Sequence, residues 1–402
     1  VPAGERGGRS SRWLWWLLAC VIRTQTALNL ARPLLSYKAI ALGGDASAIG
    51  LITSAYALLS LVVAVPLGRL ADRTTRAHWI VLGGIVLLVG APLLLAASFS
   101  LTAVAVAGTV LGFGHIVSMI AGQGLVARRS TDSDLDRNFG WFTAAVAVGQ
   151  MTGPLIGGLV LGQGQAAELG TPIVHALLLA AVIAAAGAVG LVGLVRNSPR
   201  HPTGATRPAA AERPPVFSLL RTPGVAPGLF ISLALLSSVD LLTAYLPLIA
   251  EQRGISPAAT GVLLALRAAF SIASRLLLAT LLTRWSRRTL VVSSALGSAV
   301  SLSLVALPWA DQWWLMAPAL AVGGFLLGIG QPLTMTSVVL AVPTHARGTA
   351  LALRLWANRL GQVALPAGAG LVAASAGAAG SLWFACGVLA AAAGTGRFTS
   401  RS

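Results

Sequence analysis

The sequence predicts an all-α membrane protein, with twelve transmembrane helices in two pseudo-symmetric six-helix bundles. Three observations predict it. Of 402 residues, 56% are hydrophobic and only 10% charged, against about 25% charged in a soluble globular domain. Apolar runs of about 20 residues, each enough to cross a hydrocarbon core of roughly 30 Å as a helix, follow one another along almost the whole chain. The second half then repeats the first at a shift of about 211 residues.

In chain order the spans fall at about 13 to 38, 47 to 68, 77 to 98, 101 to 127, 138 to 161, 172 to 195, 223 to 250, 257 to 282, 289 to 308, 312 to 341, 348 to 373 and 377 to 394. The basic segment Arg6 to Arg12 before Trp13 to Ile22 has the look of a secretory signal. It is expected to be the first span instead, because no small-residue cleavage site follows and because it has a partner later in the chain. Between the sixth and seventh spans lies RNSPRHPTGATRPAAAERPPVFSLLRTPG, rich in proline and arginine. It reads as a linker over 196–221, dividing a bundle over 1–195 from one over 222–402.

The formal charge of +17 raises the question of nucleic acid. Distribution answers it. Twenty of the 28 basic residues fall on one side, at both termini, in the linker and in alternate loops such as Arg284, Arg287 and Arg288. The opposite loops carry only Lys38 and Arg253, beside Asp45, Glu168, Glu251 and Asp311. By the positive-inside rule both termini are cytoplasmic, in a cell membrane, and the basic charge needs no nucleic acid.

The halves align in detail. Gly50 meets Gly261 at a shift of 211, and GRLADRTTRA from Gly68 meets ATLLTRWSRR from Ala279. At 212, GQMTGPLIGG (149–158) meets GQVALPAGAG (361–370), so Pro154 meets Pro366. Weak similarity of this kind marks a duplicated six-helix unit.

Three groups of residues invite a functional reading. In the fifth span Gly149, Gly153 and Gly157 form one bare helical stripe on which another backbone can pack, with Gly158 beside it, and Pro154 removes a hydrogen bond and allows bending. Gly153→Leu is accordingly expected to leave insertion nearly intact while slowing exchange between states. In the loop after the second span, Gly68 turns the chain, Asp72 can cap a helix start, and Arg73 and Arg76 sit among acidic headgroups, as a gating latch would.

The third group is the charges inside the spans. Arginine at a helix centre costs roughly 2.5 to 3.5 kcal/mol on insertion scales, so it faces a cavity or a partner. Gln25, Asn29, Arg32 and Ser36 share a face of the first helix and read as a cavity wall, with Arg267 and Arg359 near mid-membrane. Arg23 is expected to pack toward another helix. Arg275 and Arg354 are expected to snorkel toward the near face. Asp240 is the one carboxylate inside any span, at the depth of Asn29 under the 211 shift. It reads either as a proton site or as a structural ion pair with a nearby arginine; His115 reads as a satisfied buried histidine.

PLGRLADRTTRAH and GQMTGPLIGG resemble, respectively, the loop signature of the major facilitator superfamily and the fifth-helix signature of its proton-coupled exporters. The fourth-helix arginine of many drug exporters has no counterpart in TVLGFGHIVSMIAGQGLVA. The resemblance implies a secondary transporter working by alternating access, in this case proton-coupled export of small organic or drug-like compounds by an antiporter. The six arginines inside the spans, against one acid, keep open a transporter of organic anions; a non-transporting receptor on the same fold is a third reading. The expected partners are a small-molecule substrate, protons and lipid, with the chain a monomer. No catalytic constellation, metal spacing, cofactor motif or cysteine pair stands out, so an enzyme is not expected.

Overall fold

The computed structural model describes residues 4–73, 77–130, 134–164, 169–196, 219–308, 312–343 and 346–396. The helices are α1 (Gly4–Ala41), α2 (Ala46–Arg73), α3 (Ala77–Ala96), α4 (Leu101–Arg129), α5 (Leu135–Leu161) and α6 (Gly170–Arg196) in the first half. The second half has α7 (Val225–Gln252), α8 (Pro257–Arg284), α9 (Arg287–Ala306), α10 (Trp313–Leu340) and the stretch Arg347–Thr395. That last stretch is interrupted at Gly377, whose φ of 75° is left-handed. Glycine alone adopts this freely, so the stretch holds two spans, α11 before Gly377 and α12 after it.

Ten of these stretches are long and apolar enough to cross a membrane. The first helix is not among them. It carries Gln25, Asn29, Arg32 and Ser36, and its polar face is buried inside the protein, with Gln25 only 2% exposed. Counting α1, and Arg347–Thr395 as two, gives the twelve spans of a multi-pass membrane protein. Within each half short connections make successive helices antiparallel, and the end of α5 meets the start of α8 at Gly158 and Gly261, so the basic ends Arg196, Arg284, Arg287 and Arg347 share one face with the start of α1. We call it the basic face.

The duplication reaches the atoms at helix starts. Asp45 precedes α2 and its carboxylate accepts the Ala48 N–H at 2.8 Å; Ser256, 211 residues later, precedes α8 and accepts the Ala259 N–H at 3.3 Å. Both satisfy an orphan donor of the first turn. The Ala48 N–H, with help from Ser47, holds the Asp45 carboxyl below the usual carboxylate range.

One boundary differs in a way that touches the candidate latch. The second helix runs to Arg73, beyond the turn expected at Gly68, because Leu-Ala-Asp-Arg can continue a helix into the headgroup zone. Gly68, Asp72 and Arg73 therefore lie in its last turns, and Arg76 lies outside the described residues. Most of the 196–221 linker also lies outside them.

Candidate functional site

The two bundles meet along α1 and α7, α2 and α11, and α5 and α8. Between Thr24 and Ala39 nearly every α1 residue is buried, and α7 is buried over most of Ile231–Ala250. At their contact the Arg32 guanidinium lies 2.5 Å from Oδ1 of Asp240. The other carboxylate oxygen accepts a hydrogen bond from Gln362 Nε2 at 2.6 Å, and Gln362 in turn accepts from Arg359 at 2.8 Å. On the other side the Arg32 guanidinium stacks 4.9 Å from the centre of the Tyr56 ring, whose hydroxyl is 2.8 Å from His115 Nδ1.

One chain of contacts thus runs His115, Tyr56, Arg32, Asp240, Gln362, Arg359. It crosses between bundles at a single ion pair. In a medium of low dielectric a pair of this kind holds only while both partners are present, because removing either leaves a buried, uncompensated charge. Bundle separation would therefore have to neutralise or rehydrate both groups.

The remaining polar residues of α1 also make helix contacts. The Ser36 hydroxyl donates to the Ala244 carbonyl at 2.7 Å, Gln25 donates to Met119 sulfur, and Asn29 donates to the Gln25 carbonyl of its own helix. In this state the stripe forms a seam toward α7 and α4. Arg267, on α8, is 7% exposed and its Nε has no hydrogen-bond partner.

Two arginines are not where the sequence reading put them. Arg23 is exposed and donates to the Ala19 carbonyl one turn back, instead of packing on another helix. Its azimuth, half a turn from the stripe, carries it to the outer surface. Arg354 does not snorkel. It is 7% exposed and donates to Gln331 and Thr334 of α10, which offer acceptors closer than the membrane surface. Arg275 is exposed.

The glycine motif does two different jobs. Cβ atoms added at Gly149 and Gly153 would strike the α1 backbone at Gln25–Thr26 and Thr26–Leu30, and Gly157 faces Leu30. This packing lies within one bundle. Gly158 faces the other, where a Cβ would lie 2.7 Å from the Pro257 carbonyl and 2.9 Å from Gly261 Cα. The Ala258 N–H donates across the same seam to the Gly162 carbonyl at 3.1 Å.

The repeat makes a second such crossing. A Cβ at Gly50 would lie 2.6 Å from the Pro366 carbonyl and 2.8 Å from Gly370 Cα. Gly50 corresponds to Gly261 and Gly370 to Gly158. The two crossings are thus one contact, made twice by the duplicated units. The named bundle-to-bundle contacts run from the depth of Arg32–Asp240 toward the face opposite the basic one.

Sequence reasoning missed Tyr56 and Gln362. The second has a signal in hindsight: it belongs to the later copy of the GQ motif, as Gln150 belongs to the first. Tyr56 has none beyond being one of three tyrosines in the chain.

Twelve spans in two bundles, joined by buried polar contacts at mid-depth, define a secondary transporter, a class that moves small molecules and is not enzymatic. The chain belongs to the Major Facilitator Superfamily, whose family profile matches residues 16–252 and 228–399. It is 28% identical over 354 residues to the tetracycline resistance protein, class G, of Vibrio anguillarum, covering 82% of this chain and 81% of that protein. Its fold is similar to the crystal structure of a mutant of the nucleoside transporter NupG, with a TM-score of 0.77 at 15% identity over 96% of this chain and 99% of that one. A D-xylose-proton symporter gives 0.74 at 14% identity over 96% and 98%.

Proposed function

We propose that this protein exports small organic, drug-like compounds in exchange for protons, by alternating access between bundles over 1–195 and 222–402. The observation that carries the reading is the position of Asp240. Asp240, the one acid inside the spans read from the sequence, is buried where the bundles meet, held by Arg32 from the opposite bundle. A carboxylate facing a guanidinium keeps its charge, and one parted from it in a dry site takes up a proton. Rocking of the bundles would alternate these conditions. Similarity to a tetracycline resistance protein favours a drug-like cargo moving outward.

In this reading Gly68, Asp72, Arg73 and Arg76 latch the basic face, and Pro154 lets α5 bend as the bundles rock. The test is flux in vesicles carrying a pH gradient, with tetracycline and other amphiphilic compounds as probes. Uptake into inside-out vesicles should rise when the lumen is acidified and vanish with a protonophore. Equal flux with and without the gradient would rule out proton coupling.

We also place the basic face in the cytoplasm, from the charge asymmetry of the loops. Glu168→Cys and Asp311→Cys should react with an impermeant maleimide added to intact cells, and Arg207→Cys should not. The native Cys20 and Cys386 are buried and give little background. Labelling of the residue-207 variant in intact cells would reverse the orientation.

A further inference from the structure

We infer that Arg267 is the residue that receives the substrate's negative charge, so that the transported solute carries a carboxylate or comparable oxyanion. The inference rests on the transport reading above and narrows its substrate class.

Around the bundle boundary stand the guanidinium groups of Arg32, Arg267 and Arg359 and the single carboxylate of Asp240. Only one of the three can be neutralised by it, and the 2.5 Å pair assigns that one as Arg32. Arg359 is half-buried and donates to Gln362. Arg267 is 7% exposed, and among the described residues no hydrogen bond or ion pair reaches its guanidinium.

Other buried arginines find acceptors for at least part of the guanidinium: Arg253 donates to the Val305 and Ala306 carbonyls, and Arg354, whose Nε is likewise without a partner, donates through one terminal nitrogen to three acceptors on α10. Nor is Arg267 able to escape to a surface. It lies ten residues into α8, roughly 15 Å from the helix start at 1.5 Å per residue. Its backbone is fixed by Gly324 of α10, where an added Cβ would strike the Arg267 carbonyl. That depth, about half of a ~30 Å core, also places it beyond reach of lipid headgroups.

A buried charge without a partner is a standing cost that a structural role would have removed. A solute that brings an oxyanion removes it on binding. The planar guanidinium fork matches a carboxylate in two parallel hydrogen bonds, which a lysine would not reproduce.

The experiment is thermal unfolding of the purified full-length protein in detergent, with matched probes that differ only in charge: benzoate against benzamide, and 1-naphthoate against 1-naphthamide. The wild type should be protected by the carboxylates and not by the amides. In Arg267→Gln the unliganded protein should unfold no earlier than wild type, and the half-protecting carboxylate concentration should rise by about tenfold or more, the scale of one charge-assisted hydrogen bond. Equal protection by acid and amide, undiminished protection in the variant, or earlier unfolding of the unliganded variant would each overturn the inference. The two readings fail separately. Proton-driven flux confined to neutral or cationic compounds would remove this one alone, and carboxylate protection without any proton-driven flux would remove only the export mechanism.

Discussion

Gly158→Leu should slow turnover by about 5- to 150-fold in a protein that still folds. A Cβ at this position would sit 2.7 Å from the Pro257 carbonyl, 2.9 Å from Gly261 Cα and 3.2 Å from the Ala258 carbonyl, all backbone atoms that cannot swing aside. Overpacking of this kind costs about 1–3 kcal/mol. Because the contact joins two bundles, the strain is relieved by parting them rather than by unfolding either. At about 1.4 kcal/mol per decade, the population closed on this face should fall roughly 5- to 150-fold. Turnover should drop by a similar factor. Thr260→Cys, at a position 1% exposed beside the seam, should become reactive to an impermeant reagent in the Gly158→Leu background. Gly50→Leu should reproduce the effect, since the repeat makes Gly50–Gly370 the counterpart crossing. Normal turnover with Thr260→Cys still protected would show that these glycines do not close the face.

The contrast with Gly153 shows where sequence reading stops. The four-residue period correctly puts Gly149, Gly153 and Gly157 on one helix face, but it cannot say which neighbour that face meets. The structure turns it to the α1 backbone inside the same bundle. Gly153→Leu should therefore lower the yield of folded protein, not slow an exchange between states as the sequence suggested. Gly158, one residue and about 100° further round, is the one that meets the other bundle.

The same limit governs the charges. Hydropathy, loop charge and the 211-residue shift give span order and depth, because each depends only on position along the chain. They put Asp240, Arg32, Arg267 and Arg359 near mid-membrane without deciding which arginine pairs with the acid. Azimuth decides that, and it follows from packing between helices distant in sequence. Tyr56 was illegible for the same reason: an aromatic residue in an apolar helix reads as core until a guanidinium is found on its face. Arg354 read as a snorkelling side chain because its acceptors, Gln331 and Thr334, belong to another helix.

Asp240→Asn should uncouple transport from the proton gradient. The amide keeps the shape of the carboxylate and can still accept from Arg32, now 2.5 Å from Asp240, through its one carbonyl oxygen, while its NH2 takes the place of the oxygen that Gln362 now reaches at 2.6 Å. It cannot take up and release a proton. One pH unit is worth about 1.4 kcal/mol per proton, enough to support about tenfold accumulation at one proton per substrate molecule. That accumulation should fall to no concentration at all, while exchange of labelled for unlabelled substrate across the membrane continues. Either single change strands the other group of a buried pair, a loss of about 3–5 kcal/mol, and in Arg32→Gln the stranded Asp240 carboxyl regains neutrality only by taking up a proton. The protein yield should fall. Combining the two substitutions removes both charges and should restore the yield without restoring coupling, which separates the structural role of the pair from its role in transport. A well-folded Asp240→Asn protein that still accumulates substrate tenfold under a one-unit gradient would place the proton site elsewhere, and Asp240 would then be a structural counter-ion to Arg32 alone.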